Sequence, residues 1–179
     1  MDAKRIIRQQ KCTLSREALA LFLEDYPIPK QHKVMLPNKN QSIYDAPKWY
    51  VGLYTHAFTR LNLRIPLHPL LLELLQYYEV HISRFNPFGL AKLTTYIVMC
   101  KAYGYEPTLD VLRGFLNLCP RGDWLTLSKR AETDVPILIT KPFTNITNWK
   151  GKFFYVQDTI IPPQYPALLN ESFRFNRKC

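Results

Sequence analysis

Residues 67–78 read LHPLLLELLQYY, and residues 86–104 read NPFGLAKLTTYIVMCKAYG. In the first stretch the apolar residues recur at intervals of three and four, which is typical of a helix with one wide apolar face. In the second stretch, Asn86-Pro87 is typical of a helix start, with an N-cap followed by proline at the first helical position. Gly104 is typical of a helix end. This second helix is apolar on two faces, so it is expected at the centre of a bundle.

Two further helices are predicted on either side of this pair. Ser15, preceded by Thr13 and followed by Glu17, is typical of a helix start, and that helix is expected to run to about Asp25. Glu106-Pro107-Thr108 begins another helix through Leu116. Residues 27–50 hold several prolines and few apolar residues, which predicts a long irregular connection.

The last third of the chain changes from helical to strand-like periodicity. Three short β-rich stretches bounded by turn residues predict strands, at 124–128, 137–140 and 153–156. We expect them to pair as one small antiparallel sheet in the C-terminal third, packed against a helix-dominated bundle in an α+β fold. The predicted organisation is a basic N-terminal segment (1–12), a single domain (13–165) and a basic C-terminal tail (166–179).

Composition excludes several classes of protein. The 179 residues are 47% apolar and 13% aromatic, which excludes an intrinsically disordered chain. Lys and Arg number 24 against 14 Asp and Glu, a formal charge of +10. Because no apolar run reaches the length of a signal peptide or a membrane span, we expect an intracellular protein without a membrane partner, in either the nucleus or the cytoplasm.

The sequence carries no local catalytic or cofactor motif. No histidine is three or four residues from another histidine or cysteine, so no metal site is predicted. The six glycines form neither a phosphate-binding loop nor a dinucleotide fingerprint, so no cofactor is expected. The protein is therefore expected not to be an enzyme. Carboxylates that converge only in the fold are the open alternative, since two-metal chemistry needs them close in space.

The strongest functional feature is the interleaving of cations with aromatic residues. Lys129 and Arg130 follow a predicted strand, and Lys150 and Lys152 lie between Trp149 and the aromatic run that begins at Phe153. Such residues can hold phosphates and stack bases, so these four cations are the candidate nucleic-acid-binding residues. The alternative is a solvated basic surface, with Trp124 and Trp149 serving as core anchors.

An ordered series of short segments resembles the gypsy-type transposon, or transposase, domain that occurs in many copies in flowering plants. The series covers roughly residues 13–165. Its segments are Leu36-Pro37-Asn38, Gly52-Leu53-Tyr54, Leu63–Leu67, Ile82–Pro87 with Gly89, Cys100–Thr108, Phe115, Trp124, Ser128–Arg130, Trp149-Lys150 and Phe153–Val156.

The resemblance implies a plant protein derived from a gypsy-type retrotransposon or related transposable element, with no catalytic residue to assign. The leading hypothesis is a non-enzymatic, gag-like structural or interaction module that binds nucleic acid or other protein chains. One alternative is the remnant of a DNA-processing transposase whose catalytic part is absent. Another is a folded relic without function. The sequence makes no prediction about self-association.

Overall fold

A computed structural model describes residues 6–130 and 147–169 of the chain. These residues form five α-helices, α1 (Arg16–Asp25), α2 (Thr55–Thr59), α3 (Pro69–Tyr77), α4 (Pro87–Ala102) and α5 (Leu109–Phe115). They also form five strands, β1 (Val34–Met35), β2 (Tyr50–Tyr54), β3 (Leu116–Arg121), β4 (Trp124–Lys129) and β5 (Phe153–Gln157). The fold is therefore α+β, as predicted.

The four predicted helices begin at side-chain caps. Ser15 accepts a hydrogen bond from the backbone at the start of α1, and Thr108 does the same for α5. His68 caps α3 and Asn86 caps α4, each followed by proline at the first helical position. Gly104, with φ of +76°, follows the end of α4 in the left-handed conformation that glycine adopts without strain. The predictions of these four helices are confirmed, and α2 was not predicted.

The strands form two antiparallel sheets. In the first, β5 lies between β1 and β2, so that Val156 is opposite both Val34 and Val51. The second sheet is the hairpin β3-β4, whose two-residue turn contains Gly122 at a φ of +69°. The hairpin lies against α4, because Asn86 N donates to Leu125 O at 2.8 Å.

This arrangement differs from the single C-terminal sheet that the sequence predicts. The predicted strands at 124–128 and 153–156 both form, but they belong to different sheets. The strand at 153–156 pairs with β1 and β2, which come from the first third of the chain. The strand at 124–128 pairs with β3, whose first residue Leu116 was predicted to be helical. The predicted strand at 137–140 lies outside the described residues.

Strand β5 is buried on both faces and separates two hydrophobic clusters. Phe154 and Val156 belong to the main core, which contains the apolar faces of α1, α3 and α4. Phe153 and Tyr155 point to a second core, made of Ile7, Cys12, Ile43, Ala46, Tyr54, Trp124, Trp149, Phe153 and Tyr155. The second core thus joins the N-terminal segment to the start of β5, and the candidate site lies on this side of the molecule.

Candidate nucleic-acid interface

A tight turn immediately before β5 carries two of the predicted cations, Lys150 and Lys152. We call residues 148–152 the basic turn. The basic turn is closed by a hydrogen bond in which Lys152 N donates to Trp149 O at 3.0 Å. Asn148, at its start, has a φ of +60°. Asparagine tolerates this left-handed conformation better than most residues do. The turn therefore has a local origin in the sequence.

The N-terminal segment packs directly on the basic turn. Thr13 N donates to Gly151 O at 2.8 Å, and Lys152 Nζ donates to Thr13 O at 3.0 Å. A Cβ on Gly151 would lie 2.9 Å from the carbonyl oxygen of Lys11 and 2.8 Å from Thr13 Oγ1. Only glycine allows this approach of two backbones, which places the backbone of Lys11 beside the turn that carries Lys150 and Lys152.

The ammonium group of Lys150 is held over the second core. Its Nζ is 4.4 Å from the centroid of the Trp124 ring and 5.9 Å from that of Trp149. A cation at this distance from an indole face is attracted by the ring quadrupole. The lysine is half-buried, so that part of its side chain covers the tryptophans.

The two tryptophans beneath Lys150 are core residues. Trp124 is 2% exposed and Trp149 is 7% exposed. Trp124 Nε1 donates to the hydroxyl of Tyr54 at 3.0 Å, and burial raises the pKa of that hydroxyl. Their role as anchors is thereby confirmed, and neither ring is available for stacking with a base.

His56 adds a titratable group beside Lys152. Thr55 donates from both its N and its Oγ1 to the carbonyl oxygen of Lys152, at 3.0 and 3.2 Å, which places the start of α2 against the basic turn. Burial, followed by the positive charges of Arg60 and Lys152, lowers the pKa of His56. These effects favour the neutral imidazole. Its Nδ1 has no hydrogen-bond partner among the described residues.

Lys129 and Arg130 lie at the far end of β4 from the basic turn. Trp124, which contacts Lys150, begins β4, and Lys129 ends it opposite Leu116. Five residues of strand separate the two ends by roughly 16 Å. Arg130 Nε donates to Asn117 Oδ1 at 3.0 Å. The structure thus brings Lys150 and Lys152 together and places the other two predicted residues elsewhere.

Sequence reasoning missed Lys11, His56 and Arg60 at this site. Lys11 belongs to the predicted basic N-terminal segment, but no local signal links it to a turn near residue 150. Arg60 is exposed four residues after His56 and directly follows α2, a helix that was not predicted.

Neither a metal-binding cluster nor a membrane-spanning helix is found in the part of the chain that the structure describes. Residues 6–130 and 147–169 contain no group of three or more His, Cys, Asp or Glu side chains arranged to hold a metal ion. In the same part of the chain, no helix is long and apolar enough to cross a membrane.

Part of the chain is similar to a known protein family. Searches of curated proteins and of solved structures gave no match. Residues 53–120, from β2 to the end of β3, match the family model described as "Putative gypsy type transposon". The basic turn and the N-terminal segment lie outside this match. Over this part of the chain, the protein is therefore similar to a gypsy-type transposon-related domain.

Proposed function

We propose that the chain is a non-enzymatic module derived from a transposable element, which binds nucleic acid through the basic turn in a gag-like structural role. The observation that carries this proposal is the contact of residues 11–13 with the basic turn, which places the backbone of Lys11 beside the turn that carries Lys150 and Lys152. The plant and gypsy-type retrotransposon origin and the intracellular setting are parts of the same proposal.

The arrangement favours contacts to phosphates over contacts to bases. Lysine is a point charge on a flexible stem, which suits binding to phosphate oxygens. Trp124 and Trp149 are buried beneath Lys150 and offer no free ring face to a base. Contacts of this kind position nucleic acid without reading its sequence, so we expect binding that does not depend on sequence.

Salt dependence measures how many phosphates are contacted. The slope of log K against log salt is about −0.9 per phosphate for duplex DNA and about −0.7 for single strands. Three lysines thus predict slopes near −2.7 and −2.1, respectively. The experiment is fluorescence-anisotropy titration of the whole chain with single-stranded RNA and duplex DNA over a salt series.

A pair of matched variants separates the basic turn from overall charge. Lys150→Gln/Lys152→Gln and Lys129→Gln/Arg130→Gln each remove two positive charges, at opposite ends of β4. We expect the first variant to reduce the duplex slope by about 1.8 and the second to change it little. Equal losses would assign binding to overall positive charge, and no binding at low salt would contradict nucleic-acid binding altogether. Thermal melting of both variants checks that they fold.

The absence of enzymatic activity has its own test. Incubation of the chain with supercoiled plasmid and Mg²⁺ or Mn²⁺ is expected to leave the DNA intact, since two-metal cleavage requires converging carboxylates. Cleavage that a chelator abolishes, and that persists through further purification, would favour the remnant of a DNA-processing transposase.

A further inference from the structure

The C-terminal end of α4 exposes four large apolar side chains. Exposure is 55% for Val98, 40% for Met99, 74% for Tyr103 and 72% for Tyr105. We call these four residues the α4-end patch. The other side of the same helix, with Leu90, Leu93 and Tyr96, is buried. Single exposed apolar residues are common on proteins, but several that adjoin one another are typical of an interaction site.

Backbone hydrogen bonds hold the members of the α4-end patch side by side. Met99 and Tyr103 are one helical turn apart, and Tyr103 N donates to Met99 O at 3.1 Å. After the left-handed Gly104, Tyr105 N donates back to Cys100 O at 2.8 Å. A Cβ on Gly104 would meet no atom within 4 Å, so the turn between the tyrosines faces open space. The patch is therefore ordered and accessible.

The charges around the patch balance, unlike those of the whole chain. Lys101 precedes Tyr103 by two residues, Glu106 directly follows Tyr105, and both are exposed. Asp110 and Arg113 follow on α5 and form an ion pair at 3.5 Å. The start of α5 is tied to α4, because Tyr96 Oη donates to Thr108 O at 3.2 Å. Lys101 and Glu106 thus give the patch one cation and one anion, in a chain whose formal charge is +10.

We infer that the α4-end patch binds a second copy of this chain. Two chains of charge +10 repel each other through basic surfaces, and a locally neutral surface reduces that repulsion. In a two-fold arrangement the same patch meets itself, so Lys101 of one copy can face an acidic residue of the other. Nucleic acid is the less suitable occupant, because a locally neutral patch has no excess of positive charge to attract phosphates. This inference is independent of the proposed function.

The expected dimer is weak. A stable interface buries about 800 Å² on each partner, and four side chains supply only the centre of such an area. A dissociation constant on the order of 10 µM is therefore expected. Exposed tyrosines contribute strongly to such interfaces, because they bury a large area and lose little side-chain entropy.

The test is sedimentation velocity of the whole chain without nucleic acid, from about 1 to 300 µM. The weight-average mass is expected to rise from 21.1 kDa toward twice that value. Tyr103→Ser/Tyr105→Ser is expected to raise the dissociation constant at least tenfold, as is Met99→Lys, which keeps both tyrosines. The matched control is Leu21→Ser/Trp49→Ser, since these residues are 63% and 61% exposed away from the patch and are expected to leave association unchanged.

Two outcomes would overturn the inference. One is a monomer at every concentration. The other is association that the patch variants leave unchanged, or that the control weakens equally. Thermal melting of each variant shows whether it is folded, and Met99→Lys decides the question if the tyrosine variant is not.

Discussion

Helix α4 and the three-stranded sheet are built from contacts of very different range along the chain. The cap of α4 joins Asn86 to Gly89, three residues away. In the sheet, Val156 pairs with Val34 and Val51, which lie more than 100 residues earlier. The helix is thus encoded by neighbouring residues, whereas the sheet exists only once distant segments meet. The proposed nucleic-acid site lies in the second kind of region, and the proposed dimer surface lies in the first.

The largest effect is expected from removing the aromatic ring that ties the sheet to the helices. The Phe154 ring on β5 lies 5.4 Å from that of Phe22 in α1 and 5.9 Å from that of Phe58 in α2. Phe154→Ala is therefore expected to lower the free energy of unfolding by roughly 3–5 kcal/mol, measured by urea denaturation. Tyr105→Ala, at an exposed position, is the control and should change it by less than about 0.5 kcal/mol. A loss below about 1 kcal/mol for Phe154→Ala would show that the sheet does not depend on this contact.

Next in size is the junction between the N-terminal segment and the basic turn. Gly151→Val places side-chain atoms against the Lys11 carbonyl and Thr13, so a loss of about 1–3 kcal/mol is expected. Gly114→Ala in α5 is the control, because its Cβ would meet no atom within 4 Å. The control is expected to gain roughly 0.5–1 kcal/mol from its higher helix propensity. Equal effects of the two substitutions in urea denaturation would contradict the close approach at Gly151.

Removing the local cap of α4 should lower the free energy of unfolding less than disrupting the junction at Gly151, which joins distant segments. Asn86 is 7% exposed, and its Oδ1 accepts from Gly89 N at 2.8 Å. Asn86→Ala is expected to cost about 1–2 kcal/mol, with a lower helical signal in circular dichroism. Asn86→Ser retains a capping oxygen and should recover much of the loss. Failure of serine to recover any stability would show that Asn86 acts through packing rather than capping.

The smallest effect is a dependence of stability on pH that distinguishes two histidines. Burial lowers the pKa of His56, and Arg60 and Lys152 lower it further. Burial and Lys101 also lower the pKa of His68, but Glu106 and Glu73 oppose them. Because both folded pKa values lie below those of the unfolded chain, unfolding takes up protons, and stability is lost as pH falls from about 7 to 5.

The expected loss is less than about 1 kcal/mol for each histidine, since solvent screens partly exposed groups. Urea midpoints at pH 5 and pH 7.5 measure it. His56→Gln is expected to remove more of the pH dependence than His68→Asn, which keeps a capping side chain. A larger effect of His68→Asn would contradict the expectation that His56 contributes more of the pH dependence than His68.

Much of the helical structure could be predicted from particular residues. Ser15 and Asn86 cap helices as expected, Gly104 follows α4 as expected, and His68 and Thr108 cap the starts of α3 and α5. The strands were predicted less well, because the short strand β1 has no periodic signal of its own. Leu116 illustrates the difficulty, since a helical pattern continues through it although the chain turns into β3 there.

The candidate site was predictable only in part. Lys150 and Lys152 were found because they alternate with aromatic residues along the chain. Lys11 could not be added, since its neighbour in space, Gly151, is far away in sequence. Lys129 and Arg130 gave the same local signal as the two lysines, but the length of β4 separates the two pairs.

By itself, the sequence determined four helices whose signals lie in neighbouring residues, namely α1, α3, α4 and α5. Caps and apolar spacing act within a few residues, so these helices could be predicted without knowing the tertiary structure. It also determined the net charge and the cations of the basic turn. Only the tertiary structure decided which strands pair, which tryptophans are buried and which lysines share a surface. In the three-stranded sheet and at the basic turn, those outcomes depend on segments that lie more than 100 residues apart in the sequence, where local propensity has no influence on the choice of partner.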